Sequence, residues 1–200
     1  MSAKYIIGID EVGRGPLAGP VVVGLCAIKK ESIDKIDKLR RESFRDSKKL
    51  SEKKRYEWYK WMRELEDVYF EVSFQDSSLI DKIGIVPSIK KAISELLQKA
   101  EKNLNSDDFE IRLDGGLVAP EKYKNQQTII KGDEKEFTIA LASIYAKVSR
   151  DEFMKLEAVK FPFYAFEANK GYGTKAHRDA IKEYGLSKIH RVSFCKNMLK

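Results

Sequence analysis

Gly8-Ile9-Asp10-Glu11-Val12-Gly13-Arg14-Gly15-Pro16-Leu17-Ala18-Gly19-Pro20 decides how this chain folds. Just before its first acid, Tyr5-Ile6-Ile7-Gly8-Ile9 is an apolar run suited to a strand buried on both faces. At its end, Pro20 to Ile28 reads as a second, β-branched strand. Three glycines and two prolines between residues 13 and 20 leave a loop with few side chains, where main-chain N–H and C=O groups can approach a ligand closely. Such a turn favours an antiparallel pair of strands. The loop lacks the lysine and spacing of a phosphate-binding P-loop. Gly13-x-Gly15-x-x-Ala18 also runs into a strand, where a dinucleotide site needs a helix. Both nucleotide readings fail on context, while Arg14 keeps a planar fork suited to phosphate.

Outward from this stretch the pattern alternates. Residues 47–66 carry Trp58, Trp61, Met62 and Leu65 at helical spacing, and residues 68–74 alternate as a third strand. Residues 87–102 are expected to form a helix with proline in its first turn and Ile89, Ile93, Leu96 and Leu97 on one side. Two short strands follow, one stopping at Asp114-Gly115-Gly116 and one at Lys131-Gly132-Asp133. A helix is then expected from about 137 to 154, and another near 175–184. Three consecutive strands followed by helix–strand units describe an α/β fold with a mixed sheet. We expect one unit over 1–160 and, over 161–200, a helical extension of it.

Composition narrows the function. Of 200 residues, 42% are hydrophobic and 34% charged, which is globular composition. No apolar stretch approaches the roughly 20 residues that span a bilayer. Met1-Ser2-Ala3-Lys4 leads straight into a strand without a leader pattern, so a cytoplasmic protein is expected. With Cys26, Cys195, His177 and His190 the only thiols and imidazoles, no zinc-type spacing exists, and any metal must be held by oxygen. Up to residue 146 the chain has 26 basic against 25 acidic residues; beyond it, 12 against 6. A basic final quarter suits a polyanionic partner.

Asp10, Asp114 and Asp133 share an address, each at or just past the end of a short apolar strand and next to a glycine-containing turn. Strand ends in an α/β sheet converge, so such carboxylates can meet in one crevice. Glu11 adds a fourth acid; were the strand to continue it would point away from Asp10, and the turn at Gly13 is expected to bring it back. Clustered carboxylates repel one another unless cations are present, and hard oxygen donors suit magnesium or manganese, two ions of which could serve phosphodiester cleavage. Any one of these Asp residues alone is equally a turn residue.

The stretch 10–22 resembles the signature of the ribonuclease HII family. Further along, Asp46-Ser47-Lys48-Lys49-Leu50, Leu113-Asp114-Gly115, Lys131-Gly132-Asp133, Ala142 to Asp151, Lys170-Gly171-Tyr172-Gly173-Thr174 and His190-Arg191-Val192-Ser193-Phe194 resemble its other motifs in order. The resemblance implies a ribonuclease H-like fold, a five-stranded mixed sheet flanked by helices with a C-terminal helical extension. It implies a monomeric endonuclease cutting RNA in RNA/DNA hybrids and incising at ribonucleotides embedded in duplex DNA, leaving 3′-hydroxyl and 5′-phosphate ends. By motif position the catalytic, metal-holding acids are Asp10, Glu11, Asp114 and Asp133, the cofactor being Mg2+ or Mn2+. Gly13-Arg14-Gly15 corresponds to the family's reader of the ribose 2′-hydroxyl, and Tyr172 to its tyrosine that packs on the next sugar. Ribonuclease HIII is a neighbouring reading, but there a further N-terminal domain and a different glycine loop are expected.

Other matched positions carry two readings each. Ser143, Lys147 and Arg150 share one helix face near Asp133 and suit phosphate, although Lys147 is also spaced to pair with Asp151. His177 reads as a surface helix residue, His190 and Arg191 as structural, and the aromatics Phe161, Phe163, Tyr164 and Phe166 as a hinge into the core.

Overall fold

A computed structural model of the chain describes residues 3–38 and 50–198. The motif at 46–49, and the start expected at 47 for the first long helix, lie outside the described residues.

Strand β1 (Tyr5–Val12) pairs antiparallel with β2 (Val21–Lys29), and β2 antiparallel with β3 (Val68–Gln75). On its other side β1 runs parallel to β4 (Phe109–Asp114), which runs parallel to β5 (Gln126–Ile129). The sheet is therefore the expected mixed, five-stranded one, in the order β3-β2-β1-β4-β5. Nine helices of at least four residues accompany the strands among the described residues: α1 (Ile33–Lys38), α2 (Glu52–Met62), α3 (Ser77–Ile83), α4 (Ile85–Leu104), α5 (Gly132–Lys135), α6 (Phe137–Lys160), α7 (Phe166–Asn169), α8 (Lys175–Tyr184) and α9 (Val192–Cys195). None is long and apolar enough to cross a membrane.

Strand periodicity sorts the core into layers. Ile7 and Ile9 of β1, Val23 and Leu25 of β2, and Ile111 and Leu113 of β4 face α4, where Ile89, Ile93, Leu96 and Leu97 form the expected stripe. Full burial of each such side chain contributes about 1.5–3 kcal/mol. The opposite face packs Cys26 and Ile28 against Leu141 and Ile144 of α6 and against Trp58 and Met62 of α2. Here α6 lies so close that a Cβ on Gly8 would collide with the backbone of Thr138 and Ile139. Glycine at that position sets the depth at which α6 docks.

A third cluster joins the 161–198 segment to the body through Ala18, Met154, Tyr164, Phe166, Ile181 and Cys195. Tyr164 and Phe166 are buried as a hinge would be, whereas Phe163 is exposed and stacks on Tyr184 at 4.6 Å between ring centroids. α6 continues six residues past its expected end at 154, to Lys160. α3 has no apolar period long enough to show in the sequence; Asp76, accepting from the Leu79 N–H at 2.8 Å, starts it.

Candidate active site

The parallel register supplies the first two acids. Ile9 pairs with Leu113, so Asp10 and Asp114 stand one residue further along adjacent strands. By strand alternation both share the face covered by α6. Asp10 is buried and is held by a hydrogen bond from Ser143 of α6. Asp114 Oδ1 accepts from the Gly132 N–H at 2.6 Å, which ties the end of β4 to the start of α5. Asp133 is the next residue, fully buried in that short helix.

Glu11 differs from expectation in its local structure. β1 does not stop at Asp10 but continues through Val12, still paired with β2. Pairing with β4 ends at Ile9, however, so the end of β1 overhangs its neighbour on that side. Glu11 thus lines the same cleft of about 360 Å³ as Asp10, Asp114, Ser143, Lys147 and Tyr172. Asp133 is not among its lining residues.

Electrostatics mark this cleft. Burial pushes the Asp10 carboxyl up to about 8; the Ser143 hydrogen bond opposes that, and the charges of Glu11 and Asp114 add to it. Burial also raises Glu11, opposed by the Arg14 guanidinium, which pairs with Glu11 Oε1 at 2.9 Å. Glu11 Oε2 is buried and receives no hydrogen bond from the described residues. Among the described residues no three acids already form a closed metal cage. Three oxygen-donor side chains around one cleft, with an unsatisfied buried oxygen on Glu11 among the described residues, nevertheless fit a hard cation that completes its shell with water or phosphate.

The glycine loop is organised from beneath. Gly13 has φ +88°, and a Cβ there would strike Arg150. Arg191 donates to the carbonyls of Gly13 (2.6 Å), Arg14 (2.9 Å) and Gly19 (2.9 Å). Arg150 donates to those of Pro20 (3.0 Å) and Ala18 (3.2 Å). Leu17 and Ala18 donate in turn to Gly171 O. The N–H groups of Gly13, Arg14 and Gly15 donate to no described residue. The loop therefore has five of its carbonyls held from within, while its first amides have no acceptor among the described residues.

Two expectations are corrected here. Arg150 was expected on a phosphate-binding face with Ser143 and Lys147, but it is fully buried and braces the loop. Four-residue spacing aligns positions on a helix; it does not show that the far turn of α6 lies under residues 18–20. His177, expected at the surface, is also fully buried, because α8 lays that side against Tyr164 and Phe166. Lys147 pairs with Asp151 at 2.7 Å and also lines the cleft. Tyr172 is 42% exposed, with the Arg150 guanidinium 5.8 Å from its ring centroid. Sequence reasoning missed Arg55, which lines the cleft from α2, and gave Arg191 no chemical part. The run Lys53-Lys54-Arg55 was a basic signal, though nothing in it singles out Arg55.

Adjacent acids at parallel strand ends, under a helix that crosses the same mixed sheet, place the protein among the nucleases of ribonuclease H-like fold. Within that class the chain belongs to the ribonuclease HII family, whose model matches residues 7–197. Ribonuclease HII of Caldicellulosiruptor bescii is 41% identical over 196 residues, covering 98% of this chain and 89% of the relative. That of Fusobacterium nucleatum is 41% identical over 198 residues, covering 98% and 88%. Among solved structures, a chain of the PCNA:RNase HII complex from Archaeoglobus fulgidus superposes with a TM-score of 0.74 at 26% identity, covering 98% of this chain and 97% of that one. Membership makes the protein a metal-dependent endoribonuclease that degrades the RNA of RNA/DNA hybrids.

Proposed function

We propose that the enzyme hydrolyses its phosphodiester with two divalent ions held by Asp10, Glu11, Asp114 and Asp133, and that it also incises duplex DNA at a single embedded ribonucleotide. The observation that carries this reading is the placement of Asp10, Glu11 and Asp114 in one cleft with Tyr172, beside a loop whose leading amides have no acceptor among the described residues. Magnesium or manganese bound there would stabilise the attacking and leaving oxygens, giving 3′-hydroxyl and 5′-phosphate ends.

The chain's own residues supply the selection. The amides of Gly13, Arg14 and Gly15 have lone-pair partners to find, and a ribose 2′-hydroxyl is an acceptor that deoxyribose lacks. Arg191 and Arg150 hold the loop carbonyls inward, which turns those amides toward substrate. The Tyr172 ring packs on the deoxyribose after the ribonucleotide and so reads an RNA-to-DNA junction by shape. Lys147, with Ser143 beside Asp10, faces the phosphate and carries no sugar identity. Arg14 neutralises Glu11 and is free to turn to a phosphate once Glu11 is otherwise engaged.

An end-labelled DNA duplex containing one ribonucleotide tests the reading. Cleavage at that ribonucleotide with magnesium or manganese, and none with chelator, is expected. Equal cleavage of an all-DNA duplex would overturn it.

A further inference from the structure

We infer that His177 and His190 form a one-directional hydrogen-bond relay that positions Tyr172, resting on the reading of Tyr172 as a substrate contact. The direction follows from one backbone donor. The Ser187 N–H donates to His190 Nδ1 at 2.9 Å, so that nitrogen carries no proton. A neutral His190 is then protonated on Nε2, which lies 3.0 Å from His177 Nε2. His177 must accept there, so its own proton is on Nδ1, 2.9 Å from the carbonyl oxygen of Tyr172. Each ring has only one tautomer that satisfies both of its neighbours.

The surroundings keep both rings neutral and fixed. His177 is fully buried and His190 is 3% exposed. Tyr164 and Phe166 pack against both imidazoles with centroids 4.9–6.3 Å away. Burial lowers both, and His190 falls to about 4 with the neighbouring ring adding to the effect. Protonating either ring would set two N–H groups face to face.

The relay also reaches the glycine loop. His190 forms an isolated β-bridge with Ala18, and the residues on either side of it bond to Gly19 and Leu17. Tyr172 at one end and residues 17–19 at the other are thus set by the same pair of rings. His177 and His190 touch neither the acids nor the cleft and act only through what they hold, which makes them positioning residues.

Long-range 1H–15N spectra of the full-length, magnesium-loaded protein at pH 7 test the relay without any variant. Opposite neutral tautomers are expected, Nε2–H on His190 and Nδ1–H on His177. Like tautomers, or a charged ring, would overturn it. Two polar variants add a functional readout. His177→Asn keeps a donor near the Tyr172 carbonyl, whereas His177→Gln places its amide toward His190 and leaves that carbonyl without it. Incision at a single ribonucleotide should fall about tenfold further in His177→Gln than in His177→Asn, since small misplacements at a reacting centre are costly. In a Tyr172→Ala background the two should be equal. Equal activity in the Tyr172 background that carries its ring would sink the relay. Should Tyr172→Ala itself leave incision unchanged, the reading of Tyr172 fails, and the tautomers still decide the relay.

Discussion

At the end of β1 three acids line one cleft; a few residues later two arginines lie under the loop that follows. Asp10 and Glu11 share the cleft with Asp114, and one buried oxygen of Glu11 goes without a donor among the described residues. Arg150 and Arg191 are fully buried and have no salt bridge among the described residues, yet five loop carbonyls receive their N–H groups. Each cluster concentrates like charge. Burial raises Asp10 and Glu11, and it lowers Arg191 to about 9 with the charge of Arg150 adding to that. Carbonyl dipoles hold both arginines within the protein, with only Arg150 Nη1 left without a partner among the described residues, so that cluster is largely complete on folding. The acids have donors too, from Ser143, Arg14 and the Gly132 N–H, but their like charges and the unpartnered Glu11 Oε2 are left for a cation to complete.

The largest effect should come from the unfinished cluster. Asp10→Asn or Asp114→Asn should lower hybrid cleavage by several orders of magnitude while circular dichroism shows the fold intact. Full activity in Asp10→Asn would break the comparison, since the cluster would then have no use for a cation.

Next in size is the pH response of the metal-free protein. Asp10 rises from an ordinary value of 3.8 to about 8 in the folded chain, so the fold favours its protonated form. That preference is fully present below about pH 4, where the unfolded chain is protonated too. It becomes a growing cost as the unfolded chain ionises and the folded one does not, up to about pH 8. In chelator, then, the melting temperature of the wild type should fall relative to Asp10→Asn between pH 4 and 8, and the two should coincide at pH 4. Magnesium should close the gap at high pH. A gap that is widest at low pH would mean that burial does not raise the Asp10 carboxyl.

The finished cluster should answer in stability instead. Arg191→Met strands the carbonyls of Gly13, Arg14 and Gly19. Each buried carbonyl left unpaired costs about 1–3 kcal/mol, and with part of the loop rehydrating we expect about 3 kcal/mol in total by chemical denaturation. Discrimination between hybrid and all-DNA duplexes should weaken with it, because the loop amides lose their orientation. An unchanged denaturation midpoint would show that the loop is held by other contacts.

The two clusters were unequally legible in the sequence. Asp10 and Asp114 announce themselves locally, as acids closing apolar runs before glycine, and the strand order then makes them neighbours. Nothing local distinguishes Arg150 and Arg191 from surface arginines. Arg150 meets Pro20 across 130 positions, and Arg191 meets Gly13 across 178. Those contacts exist only because α6 carries residue 150 beneath the loop and because the last segment folds back over it. The same return buries His177, whose amphipathic helix showed a period but not which of its sides the aromatics at 164 and 166 would cover.

The smallest expected effect separates Lys147 from Arg150, three residues apart on one helix. Lys147 pairs with Asp151, whose side chain is 9% exposed, and it also lines the acidic cleft. A helical pair at this spacing contributes only a few tenths of a kcal/mol, so Lys147→Ala should leave the melting temperature almost unmoved. If its ammonium meets a phosphate, the log–log salt slope of hybrid binding should become shallower by about 0.9. Affinity for all-DNA duplex should fall equally, since the contact cannot see a 2′-hydroxyl. Arg150→Met should show the reverse, a lower melting temperature with the salt slope unchanged, because its charge is spent on Ala18 and Pro20 carbonyls. A slope unchanged in Lys147→Ala would assign that lysine to Asp151 alone. Arg55, which lines the same cleft from α2, would then be the cation to substitute next.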